Sequence, residues 1–194
     1  NPFPTHNSTR GIKGEKGKDT NYHQEKSKLA RENGYNCIHV FDWDDQEKIM
    51  QMLLPKKKIF ARKCEITEIP QKEANVFLKQ YHLQGGAKLQ TICLALKYEG
   101  SLIQIMTFGK PRFNKHFQWE LIRLCTKAGI LVVGGSERLY KHFILKYNPE
   151  SIISYCDNAK FSGNVYRNLG FTLKSEGVPS RHWYDPETKD HLTD

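Results

Sequence analysis

Four polar side chains stand at the ends of apolar segments, where a fold presents its chemistry. His82 closes a run with helical spacing, and Arg123 follows Glu120-Leu121-Ile122. Ser136 follows Gly134-Gly135, and Asp157 follows Ser154-Tyr155-Cys156. Brought together, a His, an Arg, a Ser and an Asp would bind a phosphate and deprotonate or orient an amine. Each also has a structural use. A His at a helix end serves as a cap, and Arg123, alternating with apolar neighbours, could pair with Glu120 or Asp157. The turn Gly134-Gly135-Ser136 is either a tight strand-to-helix connection or a phosphate cradle. Glycines let backbone N–H groups approach an anion, and the following helix N-terminus adds positive charge.

A second kind of chemistry lies in two basic runs. Lys56, Lys57, Lys58, Arg62 and Lys63 surround Phe60 with no acid among them, and Lys110, Arg112 and Lys115 flank Phe113. Such cations would contact phosphates while the rings stack on exposed bases. The whole chain of 194 residues carries 30 Lys+Arg against 21 Asp+Glu, a formal charge of +9. That excess favours a polyanionic partner, and nucleic acid is the expected one. Nothing in the sequence reads as a base-reading recognition helix.

Elements must position these groups. Residues 1–20 are rich in Gly, Lys, Ser and Thr and read as a flexible basic arm. A polar helix over 22–33 ends at Gly34, a half-apolar strand is expected over 35–41, and the acids at 44–45 open a helix that Pro55 stops. Pro70 starts a helix through Tyr81, with Ala74, Phe77, Leu78 and Tyr81 on one face. The apolar runs 91–98 and 101–108, joined by Glu99-Gly100, predict a hairpin. Strands are expected over 64–69, 119–126, 151–156, 171–174 and 181–184, with helices over 137–147 and 163–169. The fold class is therefore α/β (α+β), a mixed sheet flanked by helices and preceded by a small helix-strand-helix segment. With 38% hydrophobic residues and no apolar run near the ~20 residues that span a bilayer, the expectation is a protein with no membrane partner. The odd set Cys37, Cys64, Cys93, Cys125 and Cys156 lacks zinc spacing and disulfide pattern, which suits a reducing cytoplasm, that of the host cell.

The segment Asn164-Val165-Tyr166-Arg167-Asn168-Leu169-Gly170-Phe171 resembles the late Tyr…Leu-Gly-Phe segment of the GNAT (acetyltransferase) superfamily. Gly134, Gly135 and Ser136 occupy the place of its pyrophosphate-binding loop, so the resemblance implies acyl-CoA as a cofactor. The usual Arg/Gln-x-x-Gly-x-Gly pattern is absent, with Val132 and Val133 before the glycines. Within the superfamily, Tyr81-His82, Glu120-Leu121-Ile122-Arg123, Ser136 and Ser154-Tyr155-Cys156-Asp157 resemble the phage Mom-type proteins that modify the adenine amino group. That likeness implies catalytic roles for His82, Arg123, Ser136 and Asp157, their segment ends converging at a split between central strands.

Tyr81-His82-Leu83-Gln84-Gly85, Met106-Thr107-Phe108-Gly109-Lys110-Pro111-Arg112 and Val133-Gly134-Gly135 further resemble a C-terminal domain of phage proteins described as homing endonucleases. Residues 21–45 are similar to the last helix and strand of Vsr-like nucleases. The implied organisation is an arm over 1–20, a Vsr-like remnant over 21–58 and a GNAT/Mom-like domain over 59–194. The leading expectation is a DNA-acting protein that binds DNA and modifies a nucleobase amine. The alternative is the C-terminal part of a homing endonuclease using Mg²⁺, for which His23 and Asp42 would be the metal candidates. Otherwise no metal site is expected. A small-molecule or protein N-acetyltransferase is the third class.

Overall fold

The computed structural model describes residues 22–177, 182–185, 187–188 and 191–193. Helices α1 (Tyr22–Glu32) and α2 (Gln46–Leu53) are followed by strand β1 (Lys57–Phe60), a 3-10 turn (Ala61–Lys63), β2 (Glu65–Glu68) and α3 (Gln71–Tyr81). Then come β3 (Gln90–Tyr98), β4 (Ser101–Gly109), β5 (Trp119–Thr126), β6 (Ile130–Val133), α4 (Gly135–Tyr147), β7 (Ile152–Ser154), α5 (Asn164–Asn168), β8 (His182–Tyr184) and β9 (His191–Thr193). The chain divides into two compact units. Residues 45–155 with 165–170 form the sheet unit; the described residues before 45, 156–164 and those from 171 on form the second.

The sheet unit is a five-stranded mixed sheet in the order β2-β3-β4-β5-β7. The first four strands are antiparallel, and β7 runs parallel to β5 after the α4 crossover. The hairpin expected from Glu99-Gly100 forms with both turn residues at positive φ, 50° and 74°, between the paired Tyr98 and Ser101. This is the turn whose twist matches that of the strands it joins.

Strands β3 and β4 are buried on both faces, which explains their nearly unbroken apolar sequence. One face meets α3: Ala74, Phe77 and Leu78 pack with Cys93, Ala95, Ile105 and Cys125. The other meets α4, where Phe143 stacks on Phe108 with ring centroids 3.6 Å apart and Trp119 meets Phe143 edge-on at 5.4 Å. Burial pushes the thiols of Cys93 and Cys125 up to about 11 and about 12, so both act as small core hydrophobes. The acids before α2 do what was expected: Asp45 caps it, accepting from the Lys48 N–H at 3.1 Å.

A two-stranded parallel ribbon, β1 with β6, adds to this unit. Its basic strand was read from sequence as a charged run, and β6 as part of a turn. In β1 a single apolar side chain, Ile59, is buried, so no alternation advertises the strand. Helix α4 also begins two residues before the expected 137.

In the second unit the segment 35–41, expected as a strand, carries no strand pairing. It is tied instead through single bonds, such as His39 N–H to the Ala159 carbonyl at 2.9 Å. The alternation is inverted relative to a strand with an apolar inner face: His39 is buried and Val40 exposed. Residues 171–174 likewise form no strand, and Leu173 is exposed. Lys160 and Asp44 form a buried ion pair at 2.9 Å. The Lys160 ammonium also donates to the His39 carbonyl (3.2 Å) and lies over the Phe41 ring. Phe41 in turn stacks on Trp43. Strands β8 and β9 pair antiparallel. Among the described residues no helix is long and apolar enough to cross a membrane.

Candidate functional site

His82 is the C-cap of α3, in extended backbone, its N–H bonded to the Leu78 carbonyl at 2.9 Å. The Gln84 N–H donates to its Nδ1 at 3.1 Å, which leaves the proton of the neutral ring on Nε2. Burial, then the nearby Arg123 charge, then Lys48, lower its pKa from 6.5 to about 4. The ring is therefore neutral at physiological pH and cannot act as a cationic cap. Its Nε2–H would have to be exchanged for a lone pair, by a tautomeric shift, before that nitrogen could accept a proton.

Arg123 sits on β5 directly across from Thr107 of β4. Between Thr107 and Phe108 the register slips, so Phe108 faces Leu121 and Ile122 is the extra residue of a bulge. Bulges re-aim neighbouring side chains. The Arg123 guanidinium donates to the Ile122 carbonyl (3.0 Å) and, more weakly, to that of Gly85 (3.4 Å). Among the described residues no carboxylate lies within ion-pair distance of it. Burial and then the Arg112 charge pull its pKa below the usual arginine range, partly offset by Glu120 and Tyr166. Strand β7 pairs with β5 only at Trp119, Glu120 and Leu121. Arg123 therefore lies just beyond the point where β5 loses its parallel neighbour. Thr107 Oγ1 beside it is fully buried and has no hydrogen-bond partner among the described residues.

Glu120, foreseen as a possible partner for Arg123, pairs with Arg112 instead. The Arg112 backbone N–H donates to Oε2 at 2.7 Å, its Nε to Oε1 at 2.7 Å, and its Nη2 lies 2.6 Å from Oε1. Arg112 is thus committed to anchoring its own loop. In the same loop Lys115 donates to the Pro111 carbonyl, Lys110 is exposed, and Phe113 is exposed with its ring edge-on to Tyr155.

Ser136 lies elsewhere. Residues alternate faces along β4: Ile105 belongs to the α3 side, so Gln104 points to the α4 side. There its Nε2 donates to Thr126 Oγ1 (3.0 Å) and to Ser136 Oγ (3.4 Å). The sheet therefore separates Ser136 from His82 and Arg123. Gly134 caps α4 at φ 73°. Gly135 lies so close to Gln104 that a Cβ there would fall 2.0 Å from Oε1. Arg138, one turn on, donates to the carbonyls of Ala61 and Cys64 and so faces the 3-10 turn. With Glu137 in the first turn of the helix, Gln104 beneath it and Arg138 engaged, this turn does not fit the pyrophosphate of acyl-CoA.

Asp157 belongs to the second unit, where its Oδ1 accepts the Ala159 N–H at 3.0 Å and its carbonyl accepts those of Lys160 and Phe161. His23 Nδ1 lies 3.2 Å from His39 Nδ1, and Ser27 Oγ 2.8 Å from His39 Nε2. Asp42 is exposed. Among the described residues no three His, Cys, Asp or Glu side chains converge as a metal site. Of the four residues singled out in sequence, His82 and Arg123 share one neighbourhood: Arg123 Nε donates to the carbonyl of Gly85, whose N–H bonds the His82 carbonyl. Sequence reading missed Gln104, Thr107 and His39. A Gln and a Thr inside an otherwise apolar strand were the available signal.

Lys56, Lys57, Lys58, Arg62 and Lys63 are all exposed around β1. Comparison with protein-family models, curated proteins and solved structures found no match.

Proposed function

We propose that the sheet unit acts on DNA, presenting an exocyclic amino group of a nucleobase to His82 and Arg123. One observation carries this reading: a half-buried imidazole kept neutral lies near a guanidinium that has no acidic partner among the described residues, at the end of the β5–β7 pairing. A neutral imidazole orients or deprotonates an amine, and an uncompensated guanidinium holds an anionic group beside it. An anion at Arg123 would also cancel a charge that depresses the His82 pKa, making the ring a better base when the site is filled. The order of elements supports a GNAT-like reading: strand, helix, hairpin, third strand, then a helical crossover to a parallel strand. The positive charge of the chain and the exposed lysines around β1 support DNA as the partner. A base amine in a duplex would have to be flipped out to reach this site.

The test is nucleoside analysis by mass spectrometry of DNA from cells expressing the chain. A modified nucleoside is expected with the wild type and lost in His82→Ala and Arg123→Ala. Unchanged nucleosides with folded wild-type protein would sink the proposal. Mg²⁺-dependent plasmid nicking would favour the endonuclease reading instead.

A further inference from the structure

The β1–β6 ribbon has two unlike faces. Ile59 and its cross-strand partner Val132 point inward and are buried. Two residues apart on the outward side stand Lys58 and Phe60, paired across the ribbon with Leu131 and Val133. Phe60, Leu131 and Val133 are each about two-fifths exposed, at 43%, 43% and 39%. For large apolar side chains on a strand pair, in contrast to the closely buried β3 and β4, this is an unpartnered face.

The charge around it is mostly positive. Lys56, Lys57, Lys58, Arg62 and Lys63 are exposed, and none takes part in an ion pair among the described residues. The Arg62 guanidinium lies over the Phe60 ring, 5.1 Å from its centroid. Beside the ring runs an open groove of about 440 Å³, lined by Phe60, Ala61, Arg62, Val133, Gly134 and Arg138. Gly134 leaves its side of the groove open, since a Cβ there would meet nothing nearer than the Ala61 Cβ at 4.0 Å.

We propose that this face binds single-stranded DNA, one unpaired base lying on the Phe60–Val133 patch beside Arg62 and the backbone phosphates running along Lys58 and the flanking exposed Lys56 and Lys63. An aromatic ring with an arginine against it is a stacking platform for a base of any identity, and flanking lysines hold the phosphates. Duplex DNA would meet only the lysines, because its bases are already stacked. An acidic protein segment would satisfy the charge but leave the ring and groove unused. The proposal rests on the reading of the chain as DNA-acting, and gives that reading a place to hold the strand from which a base has been displaced. It does not depend on the chemistry at His82 and Arg123.

The experiment is fluorescence anisotropy of the full chain with a labelled single-stranded oligodeoxynucleotide, its duplex form and an abasic version. Phe60 is exposed enough for Phe60→Ala and Phe60→Trp to fold, which their melting temperatures verify. Expected are tighter binding of the single strand than of the duplex and a loss of about tenfold in Phe60→Ala. Phe60→Trp should restore affinity, and the abasic strand should bind the wild type as weakly as the intact strand binds Phe60→Ala. Equal affinity of wild type and Phe60→Ala, or indifference to base removal, overturns the platform while leaving the reaction at His82 and Arg123 to stand or fall by nucleoside analysis. No DNA binding in any form overturns both.

Discussion

Arg112 is locked onto Glu120. Its main-chain N–H and its guanidinium together engage both oxygens of a carboxylate that has no solvent exposure. A buried carboxylate is tolerable only when its charge and lone pairs are answered. Removing the cation should therefore cost more than a surface ion pair would. Arg112→Ala is expected to lower stability by roughly 3–5 kcal/mol in urea denaturation. A loss under about 1 kcal/mol, the range of exposed pairs, would show that Glu120 finds another donor or water.

His82 makes stability depend on pH. Its folded pKa of about 4 lies below the ordinary 6.5, so between these values the unfolded chain binds a proton that the folded chain refuses. Stability from this residue is full above about pH 6.5 and is lost as pH falls toward 4. Wild type should destabilise over that window more steeply than His82→Gln, measured by denaturant titration at successive pH values. By NMR, the His82 ring in Arg123→Gln should titrate at a higher pH than in the wild type. An unchanged titration would remove Arg123 as a cause.

The hairpin turn invites a stabilising change. Glu99 adopts φ 50°, a region that asparagine tolerates better than glutamate. Glu99→Asn should raise stability by about 0.5 kcal/mol, seen as a higher urea midpoint at unchanged slope. A lower midpoint would mean that the glutamate side chain contributes more than its strained backbone costs.

Close packing at the head of α4 makes the opposite prediction. A methyl at Gly135 would meet Gln104 Oε1 at 2.0 Å and Val132 Cγ1 at 2.7 Å, and moving the Gln104 amide aside would strain its bonds to Thr126 and Ser136. Gly135→Ala is expected to cost roughly 1–3 kcal/mol. Adding Gln104→Ala should recover part of that loss, since the two sites couple directly. Strict additivity of the two substitutions would contradict the contact.

Local pattern made much of this fold readable. Ala74, Phe77, Leu78 and Tyr81 announced α3, and the two apolar runs around Glu99-Gly100 announced the hairpin, because periodicity and turn chemistry act over a few residues. The basic character around Phe60 was equally plain, though its strand was not: β1 forms only because β6, some seventy residues on, supplies its hydrogen bonds. The expected strand over 35–41 failed for the converse reason. It has strand-like composition, but no strand pairs with it.

Residue types and their positions at segment ends belong to the sequence alone, and they pointed to His82 and Arg123 as well as to Ser136 and Asp157. Which of these meet was decided by tertiary structure. The bulge at Ile122 and the ending of β7 at Ser154 set where Arg123 lies. The alternation of β4 sends Gln104 and Ser136 to the opposite face. The capture of Glu120 by Arg112 leaves Arg123 without an acid among the described residues. Partner choice depends on strand register and on competition among distant groups for the same charge, and neither is encoded in local spacing.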